Sequence, residues 1–174
     1  VTTLKAKDMF RGHPFDCGIL GSFSNAGGRR LIEQADCVVA IGAGVNQQTT
    51  SWGMALSPDI PIIHIDNNRA HIGRWFDADI GLVGDAKLVV EQLIEALPQR
   101  AADDMPMRSP DNARWLAEFT MEKDFEPLNT PRTMDHRSLA LELDAMLPKD
   151  RNVIFDSGNM LLMCSYIGVQ SPAH

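Results

Sequence analysis

The chain has 174 residues, a formal net charge of −7, 44% hydrophobic and 22% charged residues. This supports a packed globular core, one ordinary domain or one domain plus part of another. With no Lys/Arg cluster beyond the pair Arg29-Arg30, the acidic balance argues against nucleic acid as a partner. The first residues, Val1-Thr2-Thr3, read as the end of a strand. The start lacks Met, and Ser171-Pro172-Ala173-His174 follows directly on an apolar stretch, so a piece of a longer polypeptide is expected. Ala26 to Ala35 forms a helical stripe through Leu31, Ile32 and Ala35, with two early glycines that weaken it. Cys37 to Ile41 is a β-branched-rich strand ending at Gly42. Pro61-Ile62-Ile63-His64-Ile65 is a second strand, closed by Asp66. A short helix is expected over Ala70 to Gly73, and Ile80 to Val83 is a third strand, ending at Gly84. Asp85 caps a helix from Ala86 to Leu97, whose stripe is Val89, Val90, Leu93 and Leu97.

After Pro98 the composition turns polar, with two prolines and the pair Asp103-Asp104, as in a linker. Ser109-Pro110-Asp111 starts a helix within it, bearing Trp115, Leu116 and Phe119 as a patch that docks on a neighbouring domain. Ser138 to Leu147 is another helix, and Asn152 to Phe155 a fourth strand, followed by a helix-like stretch from Met160 to Tyr166. Apolar strands alternating with helices predict an α/β fold: a Rossmann-like parallel sheet with helices on both faces, then a truncated second α/β unit. The domain boundaries expected are 1–98, a linker over 99–130, and 131–174.

Three widely spaced cysteines, Cys17, Cys37 and Cys164, without a CxxC, fit a reducing compartment such as the cytoplasm, not a disulfide framework or a zinc site. No run of about 18 apolar residues offers a membrane span. His64, inside an apolar strand, reads as a satisfied core residue.

The motifs sit at strand ends. Gly42-Ala43-Gly44 opens like a dinucleotide turn, but a full fingerprint is GxGxxG, and Gln47 occupies the third position. No clear helix follows it. Glycine amides at a strand's carboxyl end still offer donors to a phosphate or flavin. Asp66 suits a ribose hydroxyl pair, and equally the capping of the short helix that contains Ala70 to Gly73. Gly84-Asp85-Ala86 has the start of a Gly-Asp-Gly…Asn metal motif, but its third residue is Ala and Asn112 lies in the polar segment. Asp85 therefore reads as a helix cap. In Phe155-Asp156-Ser157-Gly158-Asn159 a glycine precedes a helical start, an arrangement that offers free amides to phosphate.

In order and spacing these pieces resemble the thiamine diphosphate-dependent enzymes related to acetolactate synthase and benzoylformate decarboxylase. The matching stretches are Val1 to Lys7 with His13-Pro14, Ala35-Asp36-Cys37 to Gly42-Ala43, Ile62 to Asp66 with Ile72-Gly73, Gly84-Asp85-Ala86-Lys87, and Val153 to Asn159. The resemblance implies a DHS-like middle domain and the beginning of a diphosphate-binding domain. It implies a parent enzyme, a lyase, decarboxylase or transferase acting on C–C bonds of 2-oxo acids with thiamine diphosphate and Mg2+, in which Gly158 and Asn159 approach the diphosphate. It places FAD or ADP, where the middle domain binds one, at Gly42, Asp66, Asp85 and Ala86. The region Gly21-Ser22-Phe23 lacks the histidine that flavin-bearing acetolactate synthases carry there. The activating glutamate and the metal motif fall outside the chain, so the chain by itself is expected to be inactive; the parent is expected to be a homo-oligomer. The rival readings are a non-catalytic FAD, ADP or NADP module, similar to the NADP-binding domain of transhydrogenase, and a structural domain used for subunit packing.

Overall fold

The computed structural model describes residues 1–99, 105–156 and 158–169. Asp103-Asp104, Ser157 and Ser171 to His174 lie outside the described residues.

The three predicted strands of the first unit form one parallel sheet in the order β1-β2-β3: β1 Val38–Ile41, β2 Ile62–Asp66 and β3 Ile80–Val83. The register aligns Ala40, His64 and Gly81 on one face, and Ile41, Ile65 and Leu82 on the other. The central strand is the core of this unit, with Ile62, His64 and Ile65 buried. Ala40, Val45 and Ile62 pack together with Val38 and Phe76 around them. The flanking strands are less covered: Val39, Ile41, Ile80, Leu82 and Val83 remain exposed. Outside the sheet, Thr2 makes a parallel bridge to Ile19, the remnant of strand character expected at the amino terminus.

Four α-helices are present among the described residues: α1 Ala26–Ile32, α2 Ala86–Ala96, α3 Pro110–Glu118 and α4 His136–Met146. Each starts on a side-chain cap, from Asn25, Asp85, Ser109 and Asp135 respectively. The α1 helix stops three residues before Ala35, and α4 starts two residues before Ser138 because Asp135 supplies the cap. Residues 69–73 are turns, where a short helix was expected.

The two glycines of α1 are contacts more than defects. A Cβ at Gly27 would meet the Phe119 ring, and one at Gly28 would meet the carbonyl oxygen of Cys17. Trp115 Nε1 donates to the Gly27 carbonyl at 3.0 Å, and Arg30 lies 4.4 Å above the indole ring. The aromatic patch of α3 therefore docks on α1, as its composition implied. Glycine weakens the helix by roughly 1 kcal/mol per residue, and here it allows that close approach.

The predicted strand over Asn152 to Phe155 does not form; residues 151–156 are irregular. A strand needs a neighbour to take its amides and carbonyls. None of the described strands lies beside it. Its side chains are used all the same, since Val153 and Phe155 pack on a second small core of Ala140, Met163 and Ile167. The stretch expected to be helix-like is a 3-10 turn over Asn159–Ser165.

Candidate functional site at the carboxyl end of the sheet

The ends of three parallel strands bring four of the predicted site residues together. Gly42 follows β1 with a left-handed φ of +59° and donates its amide to Ile65 O at 2.8 Å. A Cβ at this position would lie 3.2 Å from Ala86 Cβ, so the β1 turn abuts the first residue of α2. Asp66 ends β2, and its carbonyl accepts the Gly84 amide at 3.1 Å. A Cβ at Gly84 would collide with Val89 of α2, which fixes the helix start beside the strand end. Gly42, Asp66, Asp85 and Ala86 thus lie along one edge, at the carboxyl ends of the strands.

The side chains at this edge are engaged in local structure. Asp66 is nearly buried, and Oδ1 accepts from Asn68 N at 2.8 Å and faces His71 Nδ1 at 3.2 Å. It closes an Asx turn and not the short helix expected after it. Asp85 Oδ1 takes both the Lys87 amide at 2.9 Å and the Leu88 amide at 3.2 Å, confirming its cap role. The loop after Gly44 is stitched by Asn46 and Thr49: Asn46 Oδ1 accepts from Gln48 N, and Thr49 Oγ1 donates to Gly44 O at 2.6 Å. Sequence reasoning missed this Asn46–Thr49 pair and the Asp66–His71 contact. The signal was an N-x-x-T turn and an acid five residues before a histidine.

Residues 47–54 are turns, so the helix that a dinucleotide fingerprint needs does not follow Gly44. The chain passes instead through left-handed Ser51, Trp52 and Gly53. Trp52 and Gly53 border an apolar cavity of about 610 Å³ lined also by Met54, Leu56, Ile60 and Phe76. Ile62, the first residue of β2, also lines it, so this cavity lies at the opposite end of the strand from Asp66.

Gly158 and Asn159 stand apart. Gly158 has a φ of +91°, and a Cβ there would meet nothing within 4 Å. Asn159 begins the 3-10 turn and is exposed. No hydrogen bond among the described residues joins this pair to the sheet edge. Asn112, whose spacing mimics a metal motif, is buried in α3, where its Nδ2 donates to Gln34 Oε1 and Met107 O, each at 3.1 Å. His64 is a core residue at 1% exposure, but both ring nitrogens lack a partner among the described residues, so it is buried without being satisfied. Cys17 and Cys164 are buried free thiols, pushed up in pKa by that burial, whereas Cys37 is exposed.

Residues 1–93 match the model of the family described as thiamine pyrophosphate enzyme, central domain. The chain belongs to that family. The match covers β1 to β3 and most of α2, and so the whole edge that gathers Gly42, Asp66, Asp85 and Ala86. Among relatives, a probable acetolactate synthase large subunit of Methanocaldococcus jannaschii is 28% identical over 98% of the chain and 30% of its own length. A sulfoacetaldehyde acetyltransferase of Roseovarius nubinhibens is 31% identical over 87% of the chain and 28% of its own length. The acetolactate synthase isozyme 3 large subunit of Escherichia coli is 33% identical over 49% of the chain and 15% of its own length. The chain thus spans less than a third of the length of these relatives. Its sheet is the parallel α/β architecture of a central domain. No helix among the described residues is long and apolar enough to cross a membrane.

Proposed function

We propose that this chain serves as the central domain, with the first part of a diphosphate-binding domain, of a thiamine diphosphate-dependent enzyme that makes or breaks a C–C bond beside a carbonyl in a 2-oxo acid. The observation that carries the reading is the family match over residues 1–93. The names of the relatives, acetolactate synthase and sulfoacetaldehyde acetyltransferase, support a synthase or acyl-transfer reaction. Thiamine diphosphate, when bound, supplies a thiazolium ylid that acts as nucleophile and electron sink. The chain's own part is to hold and orient. Gly158 opens onto free space with a left-handed backbone, which fits the approach of a diphosphate to the main chain at Gly158 and Asn159. Among the described residues no cluster of three His, Cys, Asp or Glu could hold a metal ion. Domain limits near 98 and 130, a cytoplasmic location and a homo-oligomeric parent belong to the same reading.

At the sheet edge the residues fit a structural nucleotide in part. Asp85 directs only Oδ1 to its helix, so Oδ2 is available to a ribose hydroxyl. A second reading, a domain used for packing alone, is favoured by the Gly42 amide and Asp66 Oδ1 already being bonded within the fold. Calorimetric titration of the chain with FAD, ADP and NADP separates the two. Binding of FAD or ADP that is lost in Asp66→Ala and Asp85→Ala supports the nucleotide version. No binding of any of the three leaves the packing version. Product formation from pyruvate by the chain alone would overturn the expectation that it is inactive.

A further inference from the structure

The turn that carries Gly158 and Asn159 is fastened at its carboxyl end by residues far away in sequence. Lys7, in the loop after the first 3-10 turn, is 8% exposed, deeply buried for a lysine. Its Nζ donates to the carbonyl of Cys164 at 2.5 Å and to that of Ile167. Both carbonyls lie at the carboxyl end of the turn Asn159–Ser165, where main-chain oxygens lack partners and a cation is favoured. Burial lowers the pKa of this ammonium; Asp8, Cys164 and Asp144 favour its charged form and Arg11 opposes it. The neighbouring Asp8 accepts the Val169 amide at 2.9 Å, and the Arg11 guanidinium fills the space a Cβ at Gly168 would need. A further tether comes from the connector. Tyr166 donates its hydroxyl to Asp124 Oδ2 at 2.7 Å, while Oδ1 of the same carboxylate accepts the Ala26 amide at the start of α1 at 2.6 Å. Burial, then the Asp124 charge, pushes the Tyr166 hydroxyl well above its usual range, so it acts as a donor. Beneath the turn, Met163 and Ile167 bury against Ala140 of α4. At Gly158 itself, an added Cβ would meet nothing within 4 Å.

We propose that Lys7 is a positioning residue for the Gly158–Asn159 turn: by binding the carboxyl end of that turn to the N-terminal unit, it sets where the open glycine end points. The significance of this for the cofactor rests on reading Gly158 and Asn159 as diphosphate-facing, but the anchoring does not. Hydrogen exchange of the whole chain tests it. Lys7→Met keeps the apolar stem and removes all donors, leaving two buried carbonyls unmet. The amides of Leu161 and Tyr166, bonded within the turn, are expected to exchange about tenfold faster. Those of Val38 and Gly42, in the sheet, should keep their rates, and Lys7→Arg should restore most of the protection. Unchanged rates at Leu161 and Tyr166, or an equal rise in the sheet, would overturn the proposal. If Lys7→Met does not fold, Lys7→Gln, shorter and uncharged, is judged by the same two sets of amides. A parallel titration with thiamine diphosphate keeps the two readings apart. Absence of binding by the unaltered chain counts against the diphosphate role of Gly158, while the exchange pattern alone decides Lys7.

Discussion

The two units of this chain are held by different forces. Residues 38–83 are organised by a ladder of parallel backbone bonds between strands that meet in register. Residues 131–169 have no strand among those described, and beyond α4 and its small core they are tied by side chains that reach distant backbone: Lys7 to Cys164 and Ile167, Asp8 to Val169, Asp144 and Arg151 to Gly168. A ladder distributes its stability over many equivalent bonds. A set of tethers concentrates it in a few residues, each of which controls the placement of a segment. The second unit should therefore be the easier one to loosen locally, and the first should fail as a whole.

The largest test of that contrast is Ile65→Ala. Ile65 is fully buried in the central strand, and the lost burial plus cavity should cost about 2–5 kcal/mol in urea denaturation. A loss below ~1 kcal/mol would mean that β2 is not the core of the unit. Next is Gly28→Ala in α1. Helix propensity favours alanine by about 1 kcal/mol, but the new Cβ would strike the Cys17 carbonyl. Backbone displacement of this kind costs roughly 1–3 kcal/mol, so the net expected result is destabilisation; a rise in Tm would show that α1 and Cys17 separate easily. His64→Leu tests the opposite direction. It removes two unpartnered buried nitrogens at small change in volume. A buried polar atom without a bond costs about 1–3 kcal/mol, so the midpoint should hold or rise.

Smaller effects sharpen the comparison. Asp85→Ala should cost about 1 kcal/mol through loss of the α2 cap, while Asp85→Asn should keep nearly all of it. If Asp85→Asn abolishes nucleotide binding while the midpoint is unchanged, the carboxylate has a role beyond capping. The second unit carries its own pH dependence. Burial works against the charge of Asp144, but the Gly168 amide, Arg151 and Lys149 outweigh it and hold the carboxyl below its usual range. With the folded value depressed, its contribution is present above the ordinary carboxylate pKa of about 3.9 and is lost as pH falls through the folded value. Amide exchange at Gly168 should rise below pH 4 before exchange in the sheet does, and Asp144→Asn should remove that difference.

Much of the first unit was legible because its signals are local. Alternating β-branched runs ending in glycine or aspartate marked β1 to β3, and the caps Asp85 and Ser109 were read directly. The gathering of Gly42, Asp66, Asp85 and Ala86 followed from parallel topology, which sets successive strand ends side by side. The second unit was misread where the signal was only local. Asn152 to Phe155 has strand composition, but pairing is a property of two segments, and none of the described strands pairs with it.

Lys7, Asp8 and Asp124 were invisible for the same reason. Each acts on backbone between 98 and 161 residues away, and nothing in a neighbouring residue announces such a contact. The sequence by itself determined the α/β class and the strand ends, because periodicity, capping and glycine spacing act within a few residues; the family followed from its resemblance to thiamine diphosphate-dependent enzymes. Only the tertiary structure decided that the glycines of α1 are contact points, that His64 is buried without a partner among the described residues, and that a lysine near the amino terminus grips the carboxyl end of the turn that starts at Gly158. Those depend on which distant surfaces meet, and long-range packing sets that.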